Sequence, residues 1–224
     1  MSVEVVYAFG NPNIGVYITA SDKWALIPVE APDKVEQALR RSLGVEVLRT
    51  TVGASSLIGI LCVMNSKGLL LGNIVRDGEV QAIKRALGGE LVVEVVSEMR
   101  ENALGNLILA NDRAAIVSPL VAPEVRRKVA DALDVEVVEA TLGGSSLVGA
   151  LGVATNRGVL LSPILSDEEV AKVIELMGVP KGGVGTVNRG SIFVRSGLVA
   201  NSRGALVGYE TTGIEMMRVQ SSLF

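Results

Sequence analysis

The run Ile60-Leu61-Cys62-Val63-Met64-Asn65-Ser66-Lys67-Gly68-Leu69-Leu70-Leu71 decides the architecture, because it is two apolar stretches joined by a polar turn and because it recurs. Short β-prone runs on either side of an Asn/Ser/Gly cluster form a hairpin. The basic residue in that cluster, Lys67, has counterparts at Lys23, Arg113, Arg157 and Arg203, and the successive spacings of the set are 44, 46, 44 and 46 residues. A second marker, the first apolar residue of the helical stretch downstream, falls at Val35, Val80, Val125, Val170 and Ile214, spaced 45, 45, 45 and 44. Two independent markers sharing one period define five units of roughly 45 residues.

Each unit continues alike. After the hairpin comes an amphipathic helix, with Val35, Ala38, Leu39 and Leu43 on one face of the first and Val170, Val173, Ile174 and Met177 on one face of the fourth. Acidic residues open these helices (Asp33, Asp77, Glu124, Asp167 and Glu168), where the helix dipole favours negative charge. Glycine ends them at Gly44, Gly88 and Gly178. A third strand follows: Val45-Glu46-Val47-Leu48, Val93-Glu94-Val95-Val96 and Val135-Glu136-Val137-Val138.

The fifth unit stops inside its helix, Thr211 to Phe224, without a third strand. Val3-Glu4-Val5-Val6 repeats Val135-Glu136-Val137-Val138 residue for residue. The expectation is an α+β fold in which the N-terminal strand completes the fifth ββαβ unit and closes a ring, leaving no exposed sheet edge. The units span approximately 11–53, 54–98, 102–143, 144–187 and 188–224 plus 1–10, within one domain 1–224. An open solenoid would need polar caps at both ends, yet Val3, Val5 and Val6 at one end and Met216, Met217, Val219, Leu223 and Phe224 at the other are apolar. The amphipathic helices argue against a five-bladed all-β propeller.

Among the 224 residues, 24 are acidic and 21 basic, for a net charge of −3, and 49% are apolar. That supplies a core and excludes intrinsic disorder. A single cysteine excludes an internal disulfide framework. The longest apolar run, Leu57 to Met64 with Gly59 inside it, is far short of the ~20 residues of a spanning helix. The N-terminus lacks the basic start and apolar stretch of a signal peptide, so a cytoplasmic protein is expected.

Three further motifs stand in order and in register with the repeat: Asn13-Ile14-Gly15, Ala103-Leu104-Gly105-Asn106 and Gly185-Thr186-Val187-Asn188-Arg189-Gly190. On these residues the chain resembles, over its full length, the pentein fold (the α-β propeller) and, within it, the archaeal translation initiation factor 6 family of ribosome anti-association factors. The resemblance implies a non-enzymatic protein that binds the joining face of the large ribosomal subunit. It would contact ribosomal protein L14 near the sarcin–ricin loop and block the small subunit sterically, with a possible role in subunit biogenesis. Eukaryotic relatives carry a regulatory C-terminal tail; here the sequence ends at Phe224, so control through a tail is not expected.

Other penteins modify guanidino groups with a Cys nucleophile, a His and acidic partners. This chain has no histidine, and its one thiol, Cys62, sits on an apolar strand, so residue inventory excludes that chemistry. Ser55-Ser56 and Ser145-Ser146 recur 90 residues apart, as a turn between units would; without His no Ser-His-Asp triad exists, while a Ser-Lys pair stays open. Asp167-Glu168-Glu169 reads as helix capping rather than a metal site, and no cofactor is expected. The glycine-rich stretch from Gly178 to Gly190 lacks the G-x-x-x-x-G-K-[ST] order of a phosphate loop and reads as a turn between the fourth and fifth units.

Nucleic-acid binding through phosphates needs concentrated basic surface. The densest clusters, Arg40-Arg41 and Arg126-Arg127-Lys128, lie off the apolar stripes and read as solvated faces. The five hairpin cations would form a circle of positive charge in a ring, or simply solubilise the hairpin tips. A monomer that recognises a protein partner through a neutral, apolar patch is the default. The candidate contacts are Asn13, Ile60, Asn106 and Leu151 near the hairpin starts, with Arg189 and Phe193 ahead of the fifth hairpin. Asn106 and Arg189 rest on the family motifs; the others rest on expected geometry. A guanidino-acting enzyme and a generic interaction scaffold are the disfavoured alternatives.

Overall fold

The computed structural model describes residues 2–224, whose strands form five three-stranded sheets. A first strand, β1 (Val3–Val6), precedes the sheet of β2 (Thr19–Ala20), β3 (Trp24–Pro28) and β4 (Glu46–Thr50). The second sheet holds β5 (Cys62–Met64), β6 (Gly68–Gly72) and β7 (Val92–Val96), and the third β8 (Ile108–Ala110), β9 (Ala114–Val117) and β10 (Glu136–Glu139). The fourth holds β11 (Gly152–Ala154), β12 (Val159–Leu161) and β13 (Gly182–Val184). The fifth is β14 (Leu198–Ala200) and β15 (Ala205–Gly208), completed by β1, which pairs in parallel with β15 from Val3↔Ala205 to Val6↔Gly208.

In every sheet the hairpin is antiparallel and the third strand parallel to the second. Parallel neighbours need a crossover, which a helix supplies. The helices in chain order are α1 (Ile14–Tyr17), α2 (Asp33–Ala38, continued by a π-helical turn Leu39–Leu43), α3 (Ile58–Leu61), α4 (Asp77–Leu87), α5 (Leu104–Leu107), α6 (Pro123–Leu133), α7 (Asp167–Leu176), α8 (Val194–Gly197) and α9 (Gly213–Leu223). The long ones bury the expected stripes: Val35, Leu39 and Leu43 are fully inaccessible, as are Val125 and Val129. They end where the chain turns left-handed at Gly44, Gly88 and Asp134, with Gly178 just beyond α7.

Two local expectations are corrected. Ile60 and Leu61 are not strand: they belong to the one-turn helix α3 that leads into the hairpin. A continuous apolar run carries no periodicity to separate the two. The stretch Gly178 to Gly190 is not turn alone, because it contains strand β13, with Val159↔Gly182 and Leu161↔Val184 in register. Its glycines are steric: a β-carbon on Gly182 would lie 2.7 Å from Ile174, and one on Gly183 2.8 Å from the hydroxyl of Ser222.

The five sheets remain separate, but their first strands adjoin in cyclic order, β2 to β5, β5 to β8, β8 to β11, β11 to β14 and β14 to β2. Hairpin asparagines lock neighbours together. Asn65 Nδ2 donates to the Asn111 and Leu133 carbonyls at 3.1 and 2.8 Å. Asn111 reaches Thr155 and Met177 at 3.1 and 2.9 Å, and Asn201 reaches Ser21 and Leu43 at 3.1 and 2.9 Å. The second acceptor in each case is a carbonyl at the C-terminal end of the next sheet's helix, a group with no partner inside that helix.

Three of the five hairpin cations, Lys67, Arg113 and Arg203, reach across the same junctions instead of standing free. Lys67 pairs with Asp134 at 3.4 Å, Arg113 donates to the Gly178 carbonyl, and Arg203 donates to the Asp22 carbonyl while its guanidinium lies 3.5 Å from where a Gly44 β-carbon would be. Cations near a helix C-terminus, as Lys67 is to that of α6 and Arg113 to that of α7, are favoured there by hydrogen bonding and by the dipole.

Candidate docking site

Ahead of each hairpin lies one helical turn: α1, α3, α5, the turn 148–151, and α8. The first residue of each (Ile14, Ile58, Leu104, Val148, Val194) is wholly buried and anchors it. The second is Gly15, Gly59, Gly105 or Gly149 in four turns and Arg195 in the fifth. A β-carbon on Gly15 would overlap the Arg195 carbonyl, one on Gly59 the Gly15 carbonyl, one on Gly105 the Gly59 carbonyl, and one on Gly149 the Gly105 carbonyl. Glycine at these positions is a packing requirement, since backbone presses on backbone around a common axis. The Arg195 N–H, in turn, donates to the Ala150 carbonyl at 3.3 Å.

The third residue of every turn (Val16, Ile60, Asn106, Ala150, Ser196) faces a cavity of about 450 Å³, whose rim carries Asn13, Leu147, Ser191 and Phe193. Four of the sequence candidates, Asn13, Ile60, Asn106 and Phe193, are therefore brought together. Leu151 is corrected: it is 1% exposed and packs into the fourth sheet's core. The residue in register with Ile60 and Asn106 is Ala150, and on a helical turn a slip of one position rotates a side chain by about 100°.

Arg189 lies apart from these four. Its exposed side chain does not line the cavity. What the fold uses is its backbone, left-handed at φ 60° with an N–H donated to Glu215 Oε2 at 3.2 Å. Its neighbour Asn188 carries the contact, donating to the Pro12 carbonyl at 3.0 Å and to Asn13 Oδ1 at 3.3 Å. Sequence reading missed Arg195, although a charged residue breaking a fourfold glycine register is the signal that marks it.

Strands β3, β6, β9 and β12 run from the hairpin turns towards the cavity end, where Val29, Ile74, Leu120 and Ile164 follow them in exposed positions. With exposed Leu57, Leu147, Ile192 and Phe193 they give this end an apolar face. Contiguous exposed apolar surface marks interaction sites. The opposite end is polar, and its carboxylates are bonded across the units. Asn156 Nδ2 donates to Asp112 at 2.6 Å and Asp22 at 3.0 Å, and the backbone N–H groups of Ser66 and Ser202 donate to the same two carboxylates, each at 2.7 Å.

The other candidates for chemistry resolve into structure. Cys62 is inaccessible, and burial pushes its thiol up to about 12. Ser55 and Ser145 Oγ accept the N–H of Leu57 and Leu147 at 3.2 and 3.1 Å, turn bonds both. In the acidic cluster Glu169 closes a capping box with Ser166 and binds the Gly143 N–H at 3.0 Å. No trio of His, Cys, Asp and Glu side chains is placed to hold a metal ion among the described residues. Four of the five cations in the basic clusters are paired: Arg40 with Glu36 and Glu46, Arg41 with Glu4, Arg126 with Glu139, Lys128 with Glu94 and Glu98. Among the described residues no helix is long and apolar enough to cross a membrane.

The fold is a cyclic set of small α+β repeats with exposed apolar residues gathered at one end, the kind of surface that marks an interaction site. A sequence profile of the eIF-6 family matches residues 3–222. The chain is similar to translation initiation factor 6 of Pyrobaculum aerophilum, at 44% identity over 221 residues covering 99% of this chain and 98% of the relative. It is similar also to translation initiation factor 6 of Methanocaldococcus jannaschii, at 37% over 220 residues (97% and 96%), and of Staphylothermus marinus, at 33% over 223 residues (100% and 98%). The chain belongs to the eIF-6 family.

Proposed function

We propose that this chain is a translation initiation factor of the cytoplasm that binds the joining face of the large ribosomal subunit and prevents the small subunit from associating. In this reading it is a single pentein domain, a monomeric ring of five ββαβ units closed by the N-terminal strand, and it works by bulk rather than by turnover. The apolar end carrying Asn13, Ile60, Asn106 and Phe193 is the docking surface, and ribosomal protein L14 near the sarcin–ricin loop is the partner that the family resemblance implies. A role in large-subunit biogenesis belongs to the same reading.

Family membership across residues 3–222, joined to an apolar end lined by the motif residue Asn106, supports it most directly. The lack of histidine and the inaccessible Cys62 argue against an enzyme. The test is sedimentation of purified subunits. Joining should fall as protein is added and recover with Phe193→Asp or Asn106→Ala, whereas Arg157→Ala at the opposite end should act as the parent does. Unchanged joining at saturating protein would overturn the proposal.

A further inference from the structure

We infer that the axial cavity is an oxyanion site, anchored on the guanidinium of Arg195 and suited to phosphate or a small phosphomonoester. This inference rests on the cavity itself and not on ribosome docking. Arg195 replaces the glycine found at the equivalent position of the four other turns, so of these five residues it alone carries a side chain into the cavity end of the axis. It lines the 450 Å³ cavity and also a pocket of about 40 Å³ behind it, between the first strands of the sheets.

The guanidinium is poorly satisfied. It makes one side-chain hydrogen bond, Nη2 to the Gly59 carbonyl at 3.3 Å, and its buried Nε has no partner among the described residues. Burial lowers its pKa to about 10, still far above neutrality, so the charge persists. No aspartate or glutamate lines the cavity. A half-buried cation whose Nε is buried without a partner and which has no carboxylate beside it carries a desolvation cost, and an anion that reaches it relieves that cost.

The remaining lining supplies neutral donors. Asn13 Oδ1 is engaged by Asn188 Nδ2 at 3.3 Å and Ser196 Oγ at 3.2 Å, which leaves the Asn13 NH₂ group to donate. Asn106 and Ser191 add an amide and a hydroxyl. A planar guanidinium fork surrounded by amide and hydroxyl donors matches the several acceptor oxygens of a phosphate group. The cavity volume is that of a small-ligand site.

Calorimetric titration of the full chain with inorganic phosphate, and separately with glycerol phosphate, at constant ionic strength held with chloride, tests this. Saturable one-site binding of either ligand is expected, weakened about tenfold or more by Arg195→Gly, because a charge-assisted bidentate contact is lost. Arg195→Gly restores the residue of the other four turns; should it fail to fold by circular dichroism, Arg195→Gln serves in its place. Arg195→Lys keeps the charge and should bind more tightly than either. No saturable binding by the parent chain, or equal affinity in the folded Gly or Gln variant, overturns the inference.

Discussion

The side-chain amide of Asn201 donates to the carbonyl of Leu43 at 2.9 Å, joining the last hairpin to the first long helix across 158 positions of sequence. The same amide reaches the Ser21 carbonyl at 3.1 Å, while its Oδ1 accepts the N–H groups of Arg203 and Gly204 at 2.9 and 3.2 Å. All four capacities of one buried side chain are used, two inside its own turn and two across the junction between the fifth and first sheets. Asn65 and Asn111 do the same at two other junctions, so the contact that brings the chain's ends together is chemically the same as internal ones.

Asn201→Ala strands two carbonyls and two N–H groups in a buried place, and should cost about 2–4 kcal/mol. Asn201→Thr should cost less, since Thr155 serves the fourth hairpin by accepting its own turn's N–H groups at 3.1 and 3.2 Å. Urea unfolding read as a midpoint shift at constant slope measures both. A loss under about 0.5 kcal/mol for Asn201→Ala would contradict the junction's importance.

Gly59→Ala should destabilise the protein by about 2 kcal/mol or more, because the added carbon overlaps the Gly15 carbonyl and backbone cannot swing aside. Gly78→Ala is the control. It lies in the first turn of α4 with nothing within 4 Å of the new carbon, and should be neutral or stabilising by up to about 1 kcal/mol. Equal melting shifts for the two would show that crowding on the axis is not what selects glycine.

Acid should loosen the junctions through carboxylates at the third position of three helices. Burial alone would raise the Glu215 carboxyl, but the N–H of Thr212, the hydroxyl of Thr186 and the N–H of Gly190 together hold it below the usual range. Glu79 is lowered against the same burial penalty by Thr51 and by backbone N–H groups of Arg76, Ala54 and Gly53; Glu169 is lowered chiefly by those of Ser166 and Gly143. A carboxylate depressed on folding contributes stability above its unfolded pKa of about 4.3, and that contribution disappears as pH falls through the folded value. Glu215→Gln should therefore be about 1–3 kcal/mol less stable than the parent at pH 7, with the gap closing below about pH 4. A gap unchanged between pH 7 and pH 3 would refute the assignment.

The thiol of Cys62 should resist a disulfide reagent at pH 8 in the native protein and react at once in denaturant. It is inaccessible, and its pKa is pushed up to about 12 by burial, so the nucleophilic thiolate is scarce. Native-state labelling at the rate of a free thiol would reopen the question of cysteine chemistry on this fold.

The hairpin, helix and third-strand order was legible because its signals are local. Apolar stripes at Val35, Leu39 and Leu43 and left-handed stops at Gly44 and Gly88 are set by neighbours a few residues away. Strand β13 was not legible: Gly182 and Gly183 carry no strand propensity, and they are glycines only because Ile174 and Ser222 press on them from two helices. The lining of the cavity was half legible. Asn13, Ile60 and Phe193 follow from the expected geometry of the repeat and Asn106 from the family motif, but Leu151 was one residue out of register, and the backbone bond of Arg189 to Glu215 is one that no side-chain pattern reveals.

By itself the sequence determined the period, the element types and the partner strand for β15, since Val3-Glu4-Val5-Val6 is a spare copy of a strand that the fifth sheet lacks. Periodicity is a property of the chain, and burial along one face follows from it. Tertiary structure alone decided which end is apolar, that Lys67, Arg113 and Arg203 are tied across the junctions between sheets, and that one guanidinium lines the axial cavity with no carboxylate beside it. Those outcomes depend on which groups of distant segments meet, and the free energy of a charge or an amide is set by the partner it meets, not by its position in the chain.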